Sequence, residues 1–222
     1  MDTKQEFLEK SNYILSKLYD KLMGLKPINI LDLDLKYTSL VIIDMVNGFV
    51  KEGPLSSKRV LSINNYIADL SEKCSKLNIK KVVFADSHKI NNPEFLYFPK
   101  HCLKGDKESE VTDEIKKTGN YLLIEKNSTN GFLEISFLNW LRENKDMENF
   151  IIVGNCTDIC IQQFVLSLKS YYNMINKNIN IILVKELVET YDSELHYADL
   201  VNLTSIYNMS INGINIVSKV DF

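Results

Sequence analysis

Along the chain, short apolar runs alternate with longer stretches in which apolar residues recur at helical spacing. In "EFLEKSNYILSKLYDKLM", Phe7, Ile14, Leu18 and Leu22 fall near a 3.6-residue period, with Gly24 and Pro27 following as stop signals. This predicts an amphipathic helix over about residues 4–23. "SLVIID" is a continuous apolar run of the kind that fills a strand covered on both faces. "KRVLSINNYIADLSEKCSKLN" is helical in period, and "KKVVFAD" reads as a second buried strand. Residues 87–120 are loop-rich. Then come a strand in "YLLIEK", a helix in "FLEISFLNWLRENK", a strand in "NFIIVGN" and a helix following Cys160. "NINIILVKE", "SELHYADLVNLTSIYN" and "INIVSK" close the alternation as strand, helix and strand. Strands alternating with helices predict an α/β fold: three α/β/α layers around a six-stranded, mostly parallel sheet, plus the extra N-terminal helix. The expected division is a helical extension over 1–37 and one domain over 38–222.

Composition narrows the classes. The chain has 222 residues, 45% of them hydrophobic, enough for a sizeable single core. A net charge of −3 gives no general electrostatic case for nucleic acid or an anionic membrane surface. "MDTKQEFLEK" has no signal-peptide apolar region, and no run approaches membrane-spanning length. Cys74, Cys102, Cys156 and Cys160 form no paired CxxC framework, so free thiols in a reducing cytoplasm are expected. There are three histidines, His88, His101 and His196.

In parallel sheets, sites form beyond the carboxyl ends of the strands. Strand one ends at Asp44 and strand two at Asp86, followed by Ser87 and His88. Strand three ends at Lys126, and strand four runs into Gly154 to Cys160. Each has a structural reading alone: a helix cap, a solvated lysine, an inert buried thiol. Their convergence on one rim argues for a reactive site.

The segments "VIIDMVNGF", "FADSH", "FPKHC", "IEKNSTNGF" and "VGNCTDICI" resemble the isochorismatase-like cysteine hydrolases, and within them the nicotinamidases. The resemblance runs over about residues 38–217. It implies a catalytic Asp44, Lys126 and Cys160, with Phe49 lining the substrate pocket and Phe98 stacking on a bound ring. It also implies a cis peptide between Asn155 and Cys156, in a turn that with Cys160 holds an oxyanion. The expected substrate is a small carboxamide, nicotinamide or pyrazinamide, in NAD salvage. The physical logic is that a thiol at a helix start gains from the helix dipole and a nearby lysine, while Asp44 takes its proton. Thr157 or Asp158 is expected to cap that helix.

Asp86 and His88 are two apart on extended backbone and can share a side. The resemblance adds Glu94 and His101 and implies that these four hold one divalent metal ion. Two imidazoles with carboxylates suit Zn, Mn or Fe(II). His196, expected on the last helix, matches no motif and is read as structural or surface. The N-terminal helix has two roles open to it, packing on the sheet edge or joining copies into a homo-oligomer. Alternatives for the whole are an isochorismatase-like hydrolase of another small substrate and a non-catalytic binding protein on the same fold. Those relatives that act on a vinyl ether generally lack the metal set, and a binding module has no need of Asp44, Lys126 and Cys160 together.

Overall fold

A computed structural model describes residues 2–222. The long N-terminal helix α1 (Lys4–Met23) is closed at its start by a reciprocal capping box between Thr3 and Glu6. The chain then forms β1 (Thr38–Ile43), α2 (Lys58–Lys76), β2 (Lys80–Asp86), β3 (Leu122–Lys126) and α3 (Ile135–Glu143). It continues through β4 (Asn149–Asn155), α4 (Gln162–Met174), β5 (Asn180–Glu189), α5 (Ala198–Ile211) and β6 (Asn215–Val217). These strands make one sheet in the order β3-β2-β1-β4-β5-β6, every neighbouring pair parallel. A separate parallel pairing of Ile28–Asn29 with Val220–Asp221 fastens the segment after α1 to the C-terminus.

The apolar runs explain the layers. All of β1 and all of β4 are buried. Successive side chains point to opposite faces. Leu40, Ile42, Ile151 and Val153 therefore pack with Val60, Ile63, Ile67 and Leu70 of α2 on one face. Val41, Ile43, Phe150 and Ile152 pack with Phe137 of α3, Phe164 and Leu168 of α4 and Ile206 of α5 on the other. Burying each such side chain contributes roughly 1.5–3 kcal/mol.

One expectation is corrected. The last helix begins at Ala198, so Ser193–Tyr197 lie outside it. Ser193 and His196 instead exchange backbone hydrogen bonds of 3.0 and 3.1 Å in a tight turn. Asp192 Oδ1 accepts the Ala198 N–H at 2.7 Å, which sets the later helix start. In addition, α1 lies against α5, and Leu18 and Leu22 share a groove with Ile206 and Tyr207. Phe7 and Ile14 stay exposed. No helix among the described residues is long and apolar enough to cross a membrane.

Candidate active site

The carboxyl ends of β1, β2, β3 and β4 meet as the register requires: Ile43 pairs with Phe84 and Gly154, and Asp86 with Lys126. Asp44 leaves β1 in the left-handed region, with φ 55°. Its N–H still bonds the Phe84 carbonyl at 3.1 Å, and its own carbonyl accepts the Asn155 side-chain amide at 2.6 Å. The buried Asp44 carboxylate lies 2.9 Å from Lys126 Nζ. That ammonium also pairs with Asp86 Oδ1, donates to the Ser128 carbonyl at 3.1 Å and sits 3.7 Å from Cys160 Sγ. Lys126 is thus the hub of the cluster.

Cys160 sits in a turn of π-helix, Thr157–Ile161, that opens α4. The Ile161 N–H reaches back five residues to the Cys156 carbonyl at 3.1 Å. Such one-turn π segments recur at functional sites. The Asn155–Cys156 peptide is cis. Gly154 makes the approach possible: its φ is 125°, and a Cβ there would lie 2.0 Å from the Ile43 carbonyl oxygen.

The electrostatics differ from expectation. Burial pushes the Cys160 thiol well above its ordinary range, Lys126 offsets part of this, and Asp44 and Asp86 add to it. The dipole and the lysine therefore do not leave a resting thiolate. Burial also raises Asp44, which Lys126 tempers and Asp86 reinforces, to about 7. Asp86 goes the other way: burial opposes ionisation, but Lys126 and the two histidines hold it below the usual carboxylate range. A neutral thiol thus faces a carboxylate suited to accept a proton near neutrality.

Asp86, His88 and His101 bring ligand atoms within 4.8 Å of one another, all three buried. Asp86 Oδ2 is 3.4 Å from His88 Nε2 and 3.8 Å from His101 Nε2. The Pro99 carbonyl, 2.8 Å from His101 Nδ1, can only accept, so the neutral ring keeps its proton there and presents Nε2 as a ligand. Asn92 Oδ1 accepts the Glu94 N–H at 2.9 Å, so its Nδ2 donates to His88 Nδ1 at 2.8 Å; the neutral ring then carries its proton on Nε2, and that proton must move for Nε2 to bind a metal. His88 Nε2 is buried without a hydrogen-bond partner. This mixed N and O donor set fits a borderline divalent cation. Glu94 stands outside the three-residue cluster. Its Oε1 accepts the Thr129 N–H at 2.9 Å, while Oε2 is buried and unpartnered on the same cavity.

These groups line a cavity of about 260 Å³ that holds Asp86, Glu94, His101, Cys156 and Cys160 with Phe49 and Phe98. Phe49 lies 5.6 Å and Phe98 6.3 Å from His101, ring centre to ring centre. A larger cleft of about 590 Å³, between α1, α2 and α5, has neither thiol nor histidine in its lining.

Sequence reasoning missed Leu55, Thr129, Ile159 and Tyr191 in the cavity wall. Asn155, expected in this turn, also ties it through its side-chain amide to the Asp44 backbone. No side chain caps the turn. Asp158 instead binds Thr190 at 2.6 Å and His196 at 2.9 Å.

Comparison with known proteins identifies the family and the fold. "Nicotinamidase 1" of Arabidopsis thaliana is 29% identical over 213 residues, covering 82% of this chain and 86% of that protein. A nicotinamidase structure from Bacillus subtilis superposes with a TM-score of 0.68 at 22% identity, covering 82% of this chain and 99% of that one. A pyrazinamidase of Pyrococcus horikoshii, solved in complex with zinc, gives 0.66 at 19%, with 82% and 98% covered. Residues 38–212 match the Isochorismatase domain, and the chain belongs to that family of hydrolases.

Proposed function

We propose that this hydrolase is a cysteine amidohydrolase that converts nicotinamide, and with it pyrazinamide, to the acid and ammonia. The observation that carries the reading is Lys126 contacting Asp44, Asp86 and Cys160, the last two of which line a small cavity with Phe49 and Phe98. It joins a nucleophile, a base and a ligand set in one cluster.

In the mechanism, Asp44 accepts the Cys160 proton as Sγ attacks the carboxamide carbon. Lys126 compensates the charge that moves between them. The Cys156 and Cys160 amides, next to the Asn155 turn, stabilise the oxyanion. Asp44 then gives its proton to the departing amine, releasing ammonia and leaving a thioester. Water adds to the thioester, the acid leaves, and the Cys160 thiol is restored.

Asp86, His88 and His101, with Glu94 at the cavity wall, would hold one divalent ion, Zn, Mn or Fe(II). Bound there, the ion supplies a Lewis-acidic point that holds a pyridine nitrogen or a water. Phe49 and Phe98 would sandwich the ring. The test is ammonia release from nicotinamide by purified protein before and after chelation. Release that falls with metal removal supports the reading. No release under any metal loading sinks it and favours another small substrate or a binding role.

A further inference from the structure

His196 has no part in the mechanism above, yet it is fixed to the segment that carries the nucleophile. Its Nε2 lies 2.9 Å from Asp158 Oδ2, two residues before Cys160. Its Nδ1 lies 2.8 Å from the Tyr191 carbonyl. Thr190 Oγ1 donates to the other Asp158 oxygen at 2.6 Å. The Tyr191 ring lies on the imidazole at 4.0 Å and 3°, and Tyr191 lines the substrate cavity beside Cys156 and Cys160.

Both ring nitrogens therefore face acceptors, one a carbonyl and one a carboxylate. Satisfying both requires a proton on each, which makes the ring an imidazolium paired with Asp158. Its side chain is 19% exposed and that of Asp158 14%, so the pair is less screened than a surface contact. The strap after β5 that carries His196 is itself anchored. Arg59 reaches Glu189 at 3.0 Å and Asp192 at 3.6 Å, and Glu189 accepts the Thr190 N–H at 2.9 Å.

We infer that His196 is a positioning residue for the reaction: through Asp158 it holds the Thr157–Ile161 turn that aims Cys160, and through Tyr191 it sets one wall of the cavity. The inference rests on the hydrolase reading for its kinetic readout only. Asp158 is the charged group facing the ring from the nucleophile turn, and Tyr191 is the titratable group facing it from the strap. Burial works against the imidazolium, but the Asp158 carboxylate outweighs it and raises the ring above its ordinary range.

The test compares His196→Ala, His196→Gln and Asp158→Ala with the wild type in two assays. One is kcat and KM on nicotinamide. The other is alkylation of Cys160 by iodoacetamide at neutral pH, assigned to Cys160 by fragment-ion mass spectrometry, which needs no substrate. In His196→Ala the loosened turn should cost about 10²-fold in kcat with a much smaller change in KM. The same change should speed alkylation, because the thiol moves towards solvent and its ionisation becomes easier. His196→Gln keeps a donor towards Asp158 and should recover most of both effects. Unchanged kcat and alkylation in His196→Ala, or a Gln variant no better than Ala, overturns the inference. If His196→Ala fails to fold, Asp158→Ala decides, since it removes the partner of the ring from the turn: faster alkylation supports the strut and an unchanged rate rejects it. If the wild type does not turn over nicotinamide, the amidase reading fails while the alkylation comparison still tests His196.

Discussion

The side-chain amide of Asn155 donates to the backbone carbonyl of Asp44 at 2.6 Å, with both residues fully buried. The bond joins the turn that carries Cys160 to the loop that carries Asp44. It also gives the carbonyl of an aspartate held at φ 55° a buried donor. Asn155→Ala would strand that carbonyl. The expected loss is about 1–3 kcal/mol of stability, read as a lower urea midpoint with an unchanged slope, together with slower turnover. An unchanged midpoint would show that the carbonyl finds another donor.

On the proposed mechanism, Asp44 should govern the acid side of the activity profile. Only its ionised form accepts the Cys160 proton, and its pKa lies near 7. kcat/KM should therefore rise through that region and level off above it. The linked effect on stability has a definite sign. The ordinary value is 3.8 and the folded value is higher, so the folded state holds a proton that the unfolded state releases. The Asp44 contribution to stability is present at low pH and is lost as pH rises from 3.8 towards about 7. Asp44→Asn removes this titration and should lower turnover about 10²-fold or more. Its stability relative to the wild type should improve across the same interval. A flat kcat/KM from acid to neutral pH would remove Asp44 as the base.

Glu94 separates a four-residue metal site from a three-residue one. His101→Ala should abolish retention of the divalent ion, because it removes one of the three converging ligands. Glu94→Ala should weaken retention by roughly 10–100-fold, the usual cost of losing a carboxylate that supports a metal site. Elemental analysis after graded chelation reads both. Wild-type retention in Glu94→Ala would restrict Glu94 to its bond with the Thr129 amide.

Much of the fold was legible because the strands are buried on both faces. "SLVIID" and "NFIIVGN" are nearly continuous apolar runs, and the sheet they form is parallel throughout. The convergence of Asp44, Lys126 and Cys160 was legible from the strand-end rule, since parallel register brings those ends together. The His196 strut was not. "SELHYADL" has a helical period, and only the Asp192 side chain on the Ala198 N–H shows that the helix starts later. Asp158 was misread for a related reason: an Asp at a helix start suggests a cap, but His196 and Thr190, 38 and 32 residues along the chain, occupy its oxygens. The ionisation of Cys160 was also beyond a sequence reading, because burial and two carboxylates outweigh the one lysine.

The central claim is that Cys160 Sγ carries the acyl group. The most direct measurement is intact-mass and fragment-ion spectrometry of protein acid-quenched during turnover of nicotinamide, run beside Cys160→Ala. The account predicts a nicotinoyl adduct on Cys160 in the wild type, and neither adduct nor ammonia release in the variant. Near-normal ammonia release by Cys160→Ala, or an adduct on Cys156 in its place, would contradict it.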